Sequence, residues 1–331
     1  MLKAAVVGLG WWGQTIVRMM QDSAKVRVVR AMTRSRVGAD FAAAQGVDVC
    51  SDYAALLADP TIDAVVLCTP HSTHLEQILG AAAARKHVFC EKPLALTRRD
   101  AEAAIEACNA SGVMLGVGHE RRFDPAIMEL RRRVAAGELG ALLQIEATFN
   151  QDKFLDLGSG NWRYSAAEAP AGPMTATGIH MLDLAISFLG PVDRLMANVG
   201  TLASGLTNGD TLGVLAMFRS GAQALIGAIL ATPYDGRFAL YGSQAWADVR
   251  DISHPDAPSG AAVTICHKGD RREQVEFPAI SAVRANIESF ADAIAGESLY
   301  PMSQEEMIWN IAALEAVFKS AASGQVEKVG G

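Results

Sequence analysis

Long apolar runs are missing from this chain. No stretch of its 331 residues approaches the ~20 consecutive apolar residues that span a bilayer, so no membrane partner is expected. Met1-Leu2-Lys3 runs straight into an apolar strand, without the charged, apolar and small-residue regions of a signal peptide, which predicts a cytoplasmic location. Cysteine is scarce: Cys50, Cys68, Cys90, Cys108 and Cys266 are odd in number and show no framework spacing. That argues against a disulfide scaffold and suits a reducing compartment. Basic charge is in deficit, with 29 Lys and Arg against 36 Asp and Glu. Arg131-Arg132-Arg133 and Arg271-Arg272 are read as solvated surface in an acidic protein, and no nucleic-acid partner is expected. Internal repeats and flexible linkers are lacking too.

What is present is a globular mix, 50% hydrophobic and 20% charged. A single core seldom grows past roughly 250–300 residues, so the length predicts two domains. In the first third, apolar runs at 4–8, 26–32, 63–68, 87–90 and 113–117 alternate with helical patterns at 14–22 and 36–45 and with two further helices. Thr73/Glu76 and Thr97/Asp100 have capping-box spacing at the starts of those two helices, the second ending near Gly112. Apolar strands without alternation, separated by helices, indicate a parallel sheet covered on both faces. After about residue 119 the texture changes. A helix near 125–136 is followed by β-rich runs at 141–150, 192–202, 210–219, 222–231, 237–249 and 261–267, then by helices around 284–295 and 303–323. Turn residues between these runs predict a mostly antiparallel or mixed sheet. The domains expected are 1–119 and 120–331, an α/β chain throughout.

Gly8-Leu9-Gly10-Trp11-Trp12-Gly13 directly follows a strand and opens a helix. In that context the G-x-G-x-x-G pattern reads as a dinucleotide-binding turn. Gly8 permits the turn, Gly10 lets the backbone approach a pyrophosphate, and Gly13 lets helix and strand pack, with the helix N-terminus supplying N–H donors. At least one of Trp11 and Trp12 is expected to pack rather than bind, and Trp12 is placed with the cofactor residues. The end of the second strand carries Thr33-Arg34-Ser35-Arg36 and no carboxylate until Asp40. Guanidinium and hydroxyl groups suit a 2′-phosphate, and no acid repels it. Thr33, Arg34 and Ser35 therefore predict NADP(H) in preference to NAD(H), which stays possible.

Thr69-Pro70-His71-Ser72-Thr73-His74 and Glu91-Lys92-Pro93, taken with the glycine turn, closely resemble the glucose–fructose oxidoreductase/inositol dehydrogenase/rhizopine-catabolism (Gfo/Idh/MocA) family. The resemblance continues through Gly118-His119-Glu120-Arg121-Arg122-Phe123-Asp124-Pro125, Asn161-Trp162-Arg163 and Gly178-Ile179-His180-Met181-Leu182-Asp183, and so spans essentially the whole chain. It implies an N-terminal Rossmann domain with a parallel sheet and a C-terminal α/β domain with a large, mostly antiparallel sheet. That sheet commonly forms the subunit contact, so a homo-dimer or homo-tetramer is expected. The family mostly oxidises or reduces sugars, inositols and related alcohols and ketones with a nicotinamide cofactor.

The chemistry then falls on Lys92 and His180. The Lys92 ammonium can hydrogen-bond a substrate oxygen and stabilise negative charge there. Pro93 fixes its backbone, in the family often through a cis bond, and Glu91 beside it favours the charged lysine. The His180 imidazole can exchange a proton near neutral pH. By the resemblance, Thr69, Pro70 and His74 line the nicotinamide pocket, while Arg122, Arg163 and Thr177 contact substrate; Tyr164 and Tyr241 are weaker candidates. Family enzymes often carry an aspartate four residues before the histidine. Here that position is Ala176, and Asp183 is the other carboxylate on the same helix face. Cys68, His71 and His74 superficially resemble a metal cluster, but nothing supplies a fourth ligand, and no metal is expected. The expected function is an NADP(H)-dependent oxidoreductase acting on a secondary alcohol or ketone of a sugar derivative, cyclic polyol or cyclic diol. The alternatives are a nicotinamide-dependent glycosidase or lyase using transient oxidation, and a non-catalytic dinucleotide-binding protein, which the missing acid at Ala176 keeps open.

Overall fold

The computed structural model describes residues 1–158, 160–251, 254 and 256–330. The chain forms two compact units, Met1–Glu120 with Ser281–Ile308, and Arg121–Ile280 with Trp309–Gly331.

In the first unit the order is β1 (Leu2–Val7), α1 (Trp11–Met20), β2 (Val26–Met32), α2 (Arg36–Ala44), β3 (Asp48–Cys50), α3 (Tyr53–Leu57), β4 (Ala64–Leu67), α4 (His74–Ala83), β5 (His87–Cys90), α5 (Arg98–Ser111) and β6 (Leu115–Val117). The six strands are parallel in the order β3-β2-β1-β4-β5-β6. The apolar runs Ala4–Val7 and Ala64–Leu67 are buried on both faces, so they take the two central places. Order reverses between β1 and β4, which opens a crevice beyond their carboxyl ends.

Of the two helix starts read from side chains one holds, and Ser35 supplies a further cap that was not read. Ser35 Oγ accepts from Gly38 N at 3.0 Å at the head of α2, and Thr97 Oγ1 accepts from Asp100 N at 3.2 Å at the head of α5. Gly112 ends α5 at φ +67°, in the left-handed region glycine adopts without strain. The capping box expected at Thr73 does not form. A 3₁₀ turn, His71–Thr73, leads into α4, and Thr73 is itself helical, so its hydroxyl turns back to donate to Pro70 O at 2.8 Å. The short β3 and α3 were not anticipated. Nor was the return of the chain after residue 281: Val283, Ile287 and Phe290, on the helix Ala282–Ala295, join the core of Val6, Ile16 and Phe89. A linear division at residue 119 does not reveal this.

The second unit contains α6 (Pro125–Ala135), β7 (Leu142–Asn150), α7 (Ile179–Leu189), β8 (Val192–Gly200), β9 (Thr211–Phe218), β10 (Gln223–Ile229), β11 (Asp235–Gly242), β12 (Ala245–Asp251), β13 (Ala261–His267) and β14 (Arg271–Phe277). After α8 (Ala282–Ala295) of the first unit come α9 (Gln304–Ser323), whose last part belongs here, and β15 (Glu327–Lys328). The nine-stranded sheet runs β14-β13-β12-β11-β7-β10-β9-β8-β15 and is antiparallel except for the parallel pair β7–β10. The single run expected at 237–249 is two strands, because the chain reverses at Ser243-Gln244. Arg271 and Arg272 are exposed, as read, and lie on the unanticipated edge strand β14. One sheet face buries Ile145, Leu195, Val214, Ala224 and Leu240. On the other, Met196 pairs with Leu215 and Leu215 with Leu225, a row of half-exposed apolar side chains across β8, β9 and β10.

Candidate active site

The glycine turn shows three different uses of the same residue. Gly8 has φ +95°, and a Cβ there would meet Cys68 O at 2.7 Å. A Cβ on Gly13 would run into the Gly8 carbonyl oxygen. Around Gly10 a Cβ would meet nothing within 4 Å. The first and third glycines thus serve the fold, while the second faces open space at the head of α1. No side chain caps that helix, so its first N–H groups remain available to an anion. These are the features a pyrophosphate needs.

At the end of β2, Ser35 caps α2 and Thr33 Oγ1 accepts from Ser35 N at 3.2 Å. Both hydroxyls are therefore fixed by the turn. Arg34 is exposed and has no ion pair among the described residues, whereas Arg36 pairs with Asp40 at 3.8 Å.

The segment after β5 is built around buried polar groups. The Lys92–Pro93 peptide is cis. His74 is fully buried, with Nδ1 2.9 Å from Pro93 O and Nε2 3.1 Å from Thr69 O. Each ring nitrogen faces a backbone carbonyl oxygen. His74 thereby ties the Thr69-Pro70 loop to the peptide that carries Lys92. Glu91 is buried, and its Oε2 accepts from Lys92 N at 3.3 Å. Burial pushes its carboxyl up to about 7, and the charge of Glu120 adds to the rise; the nearby Trp12 indole and the Lys92 ammonium act against it. Glu120 is buried as well. The sequence reading passed over Glu120 as an active group, although it stands inside the quoted Gly118–Pro125 segment.

In the second unit, Met174–Gly178 forms a π-helical turn that runs into α7. Ala176 packs against Phe154, Leu206 and Leu230, so the place of the missing acid is apolar. Asp183 does not replace it. Its carboxylate takes a bidentate pair from Arg122 Nε and Nη2, both at 2.8 Å and buried. Arg122, expected at the substrate, is thus bound to a structural partner. Thr177 is buried and donates to Pro173 O at 3.3 Å. Arg163 stacks on Trp162 with its guanidinium carbon 4.2 Å from the ring centroid. Tyr164 places its hydroxyl between the carbonyl oxygens of Phe154 and Leu157, and Tyr241 lies on the sheet beside Glu146 and Arg237.

His180 is buried at the start of α7, its ring centroid 5.7 Å from that of Phe149. Arg121 lies 4.7 Å from the same phenyl centroid, and Tyr234 and His254 complete the surround. Arg121 donates to Asp251 Oδ2 at 2.5 Å, and Tyr234 donates to the same oxygen at 3.0 Å. Burial pushes the His254 imidazole down to about 4, with Asp256 2.6 Å away and Lys153 donating to that same carboxylate. Phe149, Arg121, Tyr234, Asp251 and His254 were all missed. Arg121 and Asp251 alone are 130 positions apart, and the return of β7, β11 and β12 to one sheet brings Phe149, Tyr234 and Asp251 together. Cys68, His71 and His74 form no ligand set; among the described residues no three His, Cys, Asp or Glu could hold a metal.

Residues 2–119 match the profile of the GFO_IDH_MocA oxidoreductase family with NAD-binding Rossmann fold, and residues 127–248 match the GFO/IDH/MocA C-terminal domain. The chain is 28% identical to 1,5-anhydro-D-fructose reductase of Ensifer adhaerens over 96% of its own length and 92% of that protein. It is 27% identical to an NADP(+) D-xylose 1-dehydrogenase of Haloferax volcanii over 82% of each. Among solved structures, one described as a "putative NADPH-dependent oxidoreductase" from Desulfitobacterium hafniense superposes with a TM-score of 0.89 at 25% identity, covering 99% of this chain and 97% of that one.

Glu91 links the site to folding. Its folded value, about 7, lies above its ordinary 4.5, so the fold favours the protonated form. That contribution is complete below the ordinary value and is lost as pH rises through about 7. Thermal unfolding across this window should show the wild type losing stability that Glu91→Gln retains. Parallel curves for the two proteins would mean that Glu91 ionises normally.

Proposed function

The chain belongs to the Gfo/Idh/MocA family of NAD(P)-dependent oxidoreductases, and on that premise we propose that it moves a hydride to or from a secondary alcohol or ketone of a sugar derivative, cyclic polyol or cyclic diol. NADP(H) is its preferred cofactor. The observation that carries the cofactor choice is the exposed, unpaired Arg34 on the capped turn of Thr33 and Ser35, with no carboxylate before Asp40. A 2′-phosphate there meets a guanidinium and no opposing charge. The relatives named above, an anhydro-fructose reductase and a xylose dehydrogenase, support the substrate class.

The nicotinamide, when bound, supplies or takes the hydride. Gly10 and the uncapped head of α1 receive the pyrophosphate. Lys92 donates a hydrogen bond to the substrate oxygen and stabilises the negative charge that grows on it. His180 takes the hydroxyl proton during oxidation and returns it during reduction. His74, Glu91 and Pro93 fix the backbone from which Lys92 projects. No observation favours the lyase alternative, and the family's enzymes displace the non-catalytic one.

We also place the protein in the cytoplasm as a homo-dimer or homo-tetramer. The apolar row Met196, Leu215 and Leu225 lines a groove of 550 Å³ on the outer face of the nine-stranded sheet, with the Glu146–Arg237 pair at its side. A second copy of the sheet would cover it.

Titration by nicotinamide fluorescence should give tighter binding for NADPH than for NADH. Arg34→Ala should weaken NADPH by about tenfold, or ~1.4 kcal/mol, and leave NADH unchanged. Preferential NADH binding by the wild type would refute the assignment. Lys92→Ala should lower kcat by about 10²–10³ while holding the NADPH Kd within about twofold; unchanged turnover would remove Lys92 from the mechanism. In light scattering, Leu225→Asp should convert the oligomer into a smaller species, and an unaltered mass would exclude this face as the contact.

A further inference from the structure

Among the described residues, the segment from Gln151 to Ala171 contains two short 3₁₀ turns and no longer element. It carries Arg163 and leads into the π-helical turn before His180, so both depend on what holds it. The loop between β8 and β9 supplies that hold. Asn208 on this loop is 6% exposed, and its Nδ2 donates to Arg163 O and to Ala169 O, both at 2.8 Å. Its carbonyl oxygen accepts from Gly172 N at 2.7 Å. Thr207 Oγ1 beside it donates to Tyr164 O at 3.2 Å. The Asn208 carboxamide lies against Gly172, where a Cβ would meet its Cγ and Nδ2 at 2.9 Å. The loop is firm in its turn: the buried Asp210 carboxylate accepts from the N–H groups of Leu202, Ala203 and Ser204 at 2.7–3.1 Å. The contacts continue to the turn before His180. Gly172 O accepts from Thr175 Oγ1 at 3.2 Å, and Leu206 packs with Phe154, Tyr164 and Ala176.

We propose that Asn208 is a positioning residue that clamps the Arg163 segment and the π-helical turn of His180 into one piece. Its side chain holds the segment at Arg163 and Ala169, and its main chain holds the head of the turn at Gly172. The chemistry of the clamp is two N–H donations to two carbonyl oxygens. A carboxamide supplies both at any pH, a carboxyl supplies one and only while protonated, and alanine supplies none. Loss of the donors frees two backbone carbonyls and lets the segment shift against the turn. A shift of about 1 Å between a substrate and the group that acts on it costs up to about 10² in rate. The effect on substrate rests on the function proposed above; the clamp does not.

The test has two readouts on the full chain. The first is amide hydrogen exchange followed by mass spectrometry. Asn208→Ala should speed exchange across residues 160–175 by about tenfold and leave the strands of the first unit as they are. Gly172→Ala keeps Asn208 but displaces its carboxamide, so it should loosen the same residues. It decides the matter even where Asn208→Ala folds poorly. Exchange unchanged by both substitutions would overturn the clamp whatever the enzyme does. The second readout is ketone reduction with a parallel NADPH titration. Asn208→Ala should lower kcat/KM by about 10–10² and hold the NADPH Kd within about twofold. Asn208→Asp places a carboxyl against two carbonyl oxygens, in a buried position that favours its protonated form. Its deficit relative to wild type should therefore shrink about fivefold between pH 8 and pH 6, as one donation returns. Wild-type kcat/KM in Asn208→Ala, or a deficit in Asn208→Asp that ignores pH, would overturn the positioning role. An absence of any turnover in the wild type, with exchange altered as described, would count against the oxidoreductase reading and leave the clamp standing.

Discussion

The carbonyl oxygen of Gly8 occupies the place where a side chain at residue 13 would begin. This one approach lets α1 lie close against β1, and the rest of the first unit follows from it. A helix at that distance can send its uncapped N–H groups toward the crevice beyond β1 and β4. Gly8 itself turns under the Cys68 carbonyl, so the glycine turn and the segment after β4 are locked together. Thr69 continues that segment and accepts His74, which also holds the carbonyl of Pro93. A chain of backbone contacts thus runs from the nucleotide turn to the peptide that carries Lys92. Movement at any of these links would displace the lysine.

The second unit solves a different problem. Three of its carboxylates carry a cation, Asp183 with Arg122, Asp251 with Arg121 and Asp256 with Lys153, while the buried Asp210 accepts from the backbone of Leu202, Ala203 and Ser204. Pairing of this kind removes the penalty of a lone buried charge. With the residue one turn before it an alanine in an apolar cluster, His180 draws its surroundings from Phe149 and the cationic Arg121 on that ring. The acid of the first unit, by contrast, sits beside Lys92.

Much of this was legible in the sequence because its causes are local. Ala4–Val7 and Ala64–Leu67 announce central parallel strands by being apolar at every position. Gly8, Gly10 and Gly13 identify a turn in which Gly8 and Gly13 leave no room for a side chain, and Thr97 caps the helix it precedes. Causes that act across the chain were not legible. Thr73 has the spacing of a cap, yet Pro70 sets a 3₁₀ turn that diverts its hydroxyl. Residues 282–295 look like any amphipathic helix, and only the core around Phe89 and Phe290 shows which unit they complete. Arg122 seemed free to meet substrate because its partner, Asp183, lies 61 positions away. The Phe149 surround depends on the register of β7, β11 and β12, which no spacing rule conveys.

Hydride transfer to a substrate carbon is the central claim, and deuterium tests it most directly. NADPH carrying deuterium at the transferable C4 position would be mixed with a cyclic ketone substrate, and the product analysed by mass spectrometry and NMR. Chemistry driven by Lys92 and His180 predicts one deuterium on the carbinol carbon for each NADP⁺ formed, on a single face. Product free of deuterium, or product formed in large excess over the cofactor consumed, would contradict it.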